Sequence, residues 1–150
     1  VNIGKDFMLK HGYIKNDFDV EKWAAPEFLA QAAKELLEDE IESFEAYADT
    51  FPDSCVLLVD TYDTAKSGVP NAIRIAKELE KDGHRLAGIR LDSGDLDSLS
   101  RAARELLDKA DLQDVRILAS GGLDEYSIEA LVRRGAPIDA FGVETPEADR

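Results

Sequence analysis

The sequence predicts an α/β protein: four parallel βα units, read as half of a TIM-like barrel or a flavodoxin-like sheet, behind an N-terminal helical segment. Two observations carry this. From residue 55 onward, short runs rich in Val, Ile and Leu recur, each bounded by Asp, Ser or Gly. Between them lie stretches with apolar residues at helical spacing, joined by connections short enough for right-handed parallel crossovers. The repeat of about 30 residues matches one βα unit rather than a solenoid.

Taken in order, residues 1–25 show no strand-like beat and read as loop and short helical turns anchored by Phe7, Tyr13, Phe18 and Trp23. A helix is expected from about Pro26 through "APEFLAQAAKELLEDEIESFEAYADTF", as one piece or two before the turn at Pro52. The strands are expected in "CVLLVD" (55–60), "RLAGIRLD" (85–92), "VRILAS" (115–120) and "IDAFGVET" (138–145). The first intervening helix begins at Pro70, carries Ile73, Ala76 and Leu79, and stops at Gly83. The second places Leu96, Leu99, Ala103, Leu106 and Ala110 on one face, with Asp95 a candidate N-cap and Asp97 a first-turn acid. The third starts with Asp124 and Glu125 as first-turn acids and closes on Arg133, Arg134 and Gly135. The organisation expected is a single domain over 1–150, with 1–54 a helical or irregular cap and 55–150 the βα core. Half a barrel leaves two exposed sheet edges, so capping by the N-terminal helices or a homodimer through those edges is expected.

The 150 residues carry a formal net charge of −14, which repels phosphate backbones at long range, and no basic stripe offsets it. Nucleic acid and anionic membrane are therefore not expected as partners. No apolar run approaches the 18 or so residues of a membrane span, and no signal-peptide pattern is visible. Cys55 is the one cysteine and sits in an apolar run, so it reads as a core residue and the chain as cytoplasmic.

If the strands are parallel, the residues just after them form the ligand edge. That edge collects Asp60, Tyr62, Asp63 and Thr64, then Arg90, Asp92, Ser93 and Asp95, then Ser120, Gly121 and Gly122, then Gly142, Glu144 and Thr145. Gly121 and Gly122 lead into a helix and can present bare backbone N–H groups to a phosphate. Asp92 can accept hydrogen bonds from ribose hydroxyls, and Arg90 offers a fork for a carboxylate or phosphate. Asp60, Asp63, Asp92 and Asp95 are hard oxygen donors of the kind Mg²⁺ takes. Neither His11 nor His84 has partner spacing for catalysis, His84 being expected exposed in a turn, and no serine triad or Cys/His metal cluster appears. No resident metal site is therefore assigned, and no catalytic residue. From these residues alone the reading is an α/β edge that binds a phosphosugar.

Longer strings add a resemblance. "LLVDTYDTAKSGVPNAIRIAKELEKDGHRLAGIRLDSGDLDSLSRAARELLD" followed by "RILASGGLDEYSIEALVRRGAPIDAFGVET" closely resembles the nicotinate phosphoribosyltransferase family, over roughly residues 38–145. The resemblance implies an α/β barrel enzyme of NAD biosynthesis that joins nicotinate to phosphoribosyl pyrophosphate, with Mg²⁺ and with ATP spent through a phosphohistidine. It implies that Arg90, Asp92 and Ser93 face the base and ribose. It places Ser120, Gly121, Gly122, Gly142 and Thr145 at the phosphate, and Asp60 and Asp63 near the ribose or pyrophosphate. Two positions depart from the family's pattern. Ungapped counting sets Gln31 where the phosphorylated histidine is expected, and "FGVET" puts Glu144 where a glycine is expected. Residues 1–37 do not share the resemblance, so the chain reads as a composite, natural or engineered. It is expected to be a derivative of such an enzyme without its full activity, to need no cofactor of its own, and to take a phosphoribosyl ligand.

Overall fold

Asp, Gly and Ser punctuate this chain at nearly every change of direction, and the elements between them follow. The computed structural model describes the backbone of residues 26–143 and the side chains of residues 38–143. Helix α1 (Pro26–Thr50) runs unbroken to the turn at Pro52, which settles it as one helix. The chain divides into two units, Val1–Asp39 and Glu40–Arg150, and the account below concerns the second.

In that unit, β1 (Val56–Leu58) leads through a five-residue π-helical turn (Thr64–Gly68) into α2 (Val69–Lys81). Strand β2 (Gly88–Leu91), α3 (Leu96–Lys109), β3 (Arg116–Ala119), α4 (Glu125–Arg133) and β4 (Ala140–Phe141) follow. All three strand pairs are parallel, and the order across the sheet is β1-β2-β3-β4. A sheet that advances one strand at a time with right-handed crossovers puts every crossover helix on the same face. The packing agrees: Leu57, Ile89, Leu91 and Ile117 are buried with Val69, Ala72, Ile75 and Ala76 of α2 and Ala103 and Leu107 of α3. Ala119 is buried with Leu131 of α4 on that same face. A flavodoxin-like sheet reverses direction and carries helices on both faces, so the half-barrel alternative is the one realised.

The opposite face is different in kind. Register aligns Leu58, Arg90, Leu118 and Ala140 in one row across the four strands. Gly88 sits one step below, where a Cβ would lie 2.8 Å from Leu118 Cδ1 and 3.0 Å from Arg116 O. Its lack of a side chain lets Leu118 fold over the strand. Arg90 and Ala140 remain exposed.

Several expectations are corrected in detail. The buried line of α3 is Ser100, Ala103 and Leu107, with Leu96, Leu99, Leu106 and Ala110 only flanking it. The helix is rotated about one residue from the leucine stripe, and Ser100 tolerates burial because its hydroxyl donates to the Asp97 carbonyl at 2.9 Å. Asp124 is an N-cap rather than a first-turn acid: its Oδ1 accepts from Ser127 N at 2.8 Å. His84 is only partly exposed and lies 2.8 Å, Nδ1 to Oδ1, from Asp53. Strand β4 is only two residues long; just before it the Asp139 carboxylate accepts from the Ile117 N–H at 2.7 Å while the Asp139 N–H donates to Ile117 O at 2.8 Å. Cys55 is fully buried as expected, and burial pushes its thiol pKa up.

Candidate functional site at the carboxyl ends of the strands

Each strand ends in a polar segment, and these segments touch in sequence around the rim. Asp60, just after β1, is the first link. Its Oδ2 accepts from Asp92 N at 2.7 Å, Ser93 N at 2.7 Å and Ser93 Oγ at 2.9 Å. Three donors on one carboxylate oxygen pin the loop after β2, and Oδ1 takes no hydrogen bond among the described residues. Charge-assisted bonds of this kind are about twice as strong as neutral ones.

The second link joins the loops after β2 and β3. Gly121 has φ +93°, and a Cβ there would lie 2.0 Å from the Asp92 carbonyl oxygen. Only glycine permits both that conformation and that approach. Gly122 follows at φ +63°, with open space where a Cβ would stand. Asp124 then caps α4, whose first turn faces this end of the sheet. Ser120 N donates to Leu91 O at 2.8 Å, whereas Ser120 Oγ is buried without a hydrogen-bond partner among the described residues. Gly142 completes the rim beside Ser120, its Cβ direction ending 3.2 Å from Ser120 Cβ.

Arg90 and Asp92 meet loosely, Nη2 to Oδ2 at 3.7 Å, with both side chains about half exposed. Arg90 rises from the open face of the sheet beside the rim, so its guanidinium is available to an anion approaching there.

The structure thus brings Asp60, Arg90, Asp92, Ser93, Ser120, Gly121, Gly122 and Gly142 together. Asp63 is turned elsewhere: its Oδ1 caps the π-helical turn by accepting from Lys66 N at 2.9 Å. Asp95 caps α3, and the Ser98 hydroxyl and amide hold its carboxyl below the usual range. Thr64 is buried within the π-helical turn. The four aspartates therefore do not converge on one cation, and no group of three metal-ligating side chains occurs among the described residues. Glu144 and Thr145 lie outside the described residues, as does the side chain of Gln31, whose backbone is within α1. Ser120 was named from the sequence as part of this edge; what the structure adds is that its hydroxyl is buried without a hydrogen-bond partner among the described residues.

Fold and rim together define the class: an arc of a parallel βα barrel with its polar groups gathered at the carboxyl ends of the strands. Comparison with known proteins narrows this. The chain is 52% identical over 116 residues to the nicotinate phosphoribosyltransferase of Bacillus subtilis (strain 168), matching 77% of this chain and 23% of that protein. The crystal structure of human nicotinic acid phosphoribosyltransferase superposes with a TM-score of 0.61 at 36% identity, over 70% of this chain and 22% of the human one. That of nicotinate-nucleotide pyrophosphorylase from Pyrococcus furiosus gives 0.54 at 27% identity, over 69% and 26%. No family model matches the chain. Most of this chain is a nicotinate phosphoribosyltransferase-like region. It spans about a quarter of the length of the relatives it matches.

Proposed function

We propose that the rim binds a phosphoribosyl ligand, with the phosphate at Ser120, Gly121 and Gly122 and the ribose hydroxyls on Asp92. The observation that carries this reading is the buried Ser120 Oγ without a partner, set beside two left-handed glycines at the entrance to α4. A buried polar atom left unpaired costs about 1–3 kcal/mol, and a phosphate oxygen would supply the missing bond. Backbone N–H groups at a helix start suit the same group. Arg90 would meet a further anionic group, such as a carboxylate on the base.

Cleavage of a phosphoribosyl pyrophosphate leaves positive charge on the ribose, which Asp92 and Oδ1 of Asp60 are placed to offset. A Mg²⁺ brought with the pyrophosphate would take its remaining ligands from phosphate and water, since the described residues offer no set of three. We further propose that this chain does not complete the ATP-coupled transfer by itself. Gln31, a side chain that cannot carry the phosphohistidine step, stands in α1 where the family pattern has histidine.

Calorimetric titration with phosphoribosyl pyrophosphate and Mg²⁺, followed by an assay for nicotinate mononucleotide, separates the readings. Saturable binding without turnover is expected. Turnover would refute the second proposal, and absence of binding would reduce the chain to a scaffold. Glu144→Gly removes a like charge from the expected phosphate loop and is expected to tighten binding.

A further inference from the structure

Buried polarity is concentrated at one junction of this fold. Among the described residues four polar side chains are buried: Glu40, Thr64, Ser67 and Ser100. The first three lie on α1 or in the π-helical turn that leads into α2. Glu40 is 5% exposed and bridges the two helices, its Oε2 accepting from Asn71 Nδ2 at 2.7 Å. Its Oε1 is buried and takes no hydrogen bond among the described residues. A buried polar atom left in that state costs about 1–3 kcal/mol, so a well-packed apolar pair would join these helices with a smaller penalty.

The place of the bond shows what it holds. Asn71 is the third residue of α2, which starts at Gly68 with no side-chain cap and no acid in its first turn. By contrast, Asp95 and Asp124 cap α3 and α4 from the residue just before each helix. The Glu40 carboxyl, reaching over from α1, is the acidic group beside that first turn, where the helix dipole favours it. From Asn71 the path to the rim is short and close-packed. Ser67 N and Gly68 N donate to Asp63 O at 2.9 and 3.0 Å. A Cβ at Gly68 would lie 1.8 Å from Val59 O, so the start of α2 cannot shift toward the sheet without moving the end of β1. Val59 N donates to Arg90 O at 3.1 Å, and the next residue, Asp60, clamps Asp92 and Ser93.

We propose that Glu40 is a positioning residue of the rim. By holding Asn71 it fixes the start of α2, and through Gly68 and Val59 it keeps Asp60 where its carboxylate clamps the loop after β2 for the ligand. Glu40 acts through Asn71 and not by contact with the ligand. The inference deepens the reading of the rim as a phosphoribosyl site and rests on it. It also explains why a buried carboxyl with a spare oxygen stands at this junction: the bond sets a position and adds little to stability. Stability and rim order therefore come apart when the pair is replaced, which a merely structural bond would not allow.

The test uses the whole chain, with nicotinate mononucleotide as the probe. Glu40→Met/Asn71→Leu replaces both partners by apolar side chains of similar size, a change that is near neutral or stabilising when a buried pair is removed together. Denaturant unfolding is expected to show no loss of stability. Amide exchange at Asp92 and Ser93, measured without ligand, is expected to speed roughly tenfold, the size of one bond to a charged group, with Ile89 unchanged. Affinity for the mononucleotide, read by calorimetry, is expected to fall by a similar factor. Glu40→Gln/Asn71→Asp reverses donor and acceptor and is expected to return both readouts to those of the parent chain. Rim exchange unchanged in the apolar pair, or a loosened rim that the reversed pair does not restore, would overturn the proposal. Exchange rising equally at Ile89 would mark a merely structural bond and overturn it as well. Because exchange needs no ligand, it decides the coupling even if the parent chain binds no mononucleotide, an outcome that would refute the ligand reading alone.

Discussion

The rim depends on a few side chains whose bonds reach across more than 30 residues of sequence. Asp60 was recognisable as a polar residue closing an apolar run, but its partners Asp92 and Ser93 were not, because adjacency of strands is a tertiary fact. Asp92 and Ser93 fall on the rim as their position after β2 implies. Asp63, equally prominent in the sequence, is drawn off by local chemistry, since an Asp three residues before an amide readily caps a turn. Asp60→Ala strips the acceptor from two backbone amides and is expected to speed hydrogen exchange at Asp92 and Ser93 while leaving Ile89 protected. NMR exchange rates check this, and unchanged rates at 92 and 93 would count against the clamp. Gly121→Ala is expected to cost more, because left-handed strain of about 1–3 kcal/mol adds to the collision with the Asp92 carbonyl. Denaturant unfolding measures that loss directly.

Helices were legible as elements and less so in their rotation and ends. Periodicity located α2, α3 and α4 to within a few residues, because an amphipathic stripe is a local pattern. The π-helical turn had no such signal. Within it Gly68 passes the carbonyl of Val59 so closely that a Cβ would come within 1.8 Å. Arg104 was also invisible: it donates to Val115 O at 2.9 Å and Leu112 O at 2.8 Å, stapling α3 to the loop that enters β3. Arg104→Ala is expected to destabilise by about 1.5–3 kcal/mol, the range for bonds to a charged group, in thermal or denaturant unfolding. The caps make a pH-dependent claim. Serine donors hold Asp95 and Asp124 below the usual carboxylate range, Ser98 for the first and Ser127 for the second. A depressed folded pKa stabilises fully above the unfolded value, near ~3.9, and the benefit disappears as pH falls through the folded value. Far-ultraviolet circular dichroism is expected to lose helix only below about pH 4. In the Asp95→Asn/Asp124→Asn double variant that acid limb is expected to flatten.

At the scale of the molecule, strand number and parallel direction were readable, and strand order was not. Both architectures left open by the sequence share the same βα beat, and only the sequential order β1-β2-β3-β4 separates them. That order makes a sheet with one fully buried face, so stability concentrates in it. Ile89, fully buried in the middle of that face, is expected to cost about 2–5 kcal/mol when cut to Ala, as read by denaturant unfolding. The rim's proposed assignment to a phosphoribosyl ligand is the central claim. Amide chemical-shift mapping during titration with nicotinate mononucleotide tests it most directly. Saturable shifts at Ser120, Gly121, Gly122 and Asp92 are expected, with affinity falling roughly tenfold or more in Ser120→Ala, as loss of one charge-assisted bond implies. Shifts confined to the opposite end of the strands, or none that saturate, would contradict it.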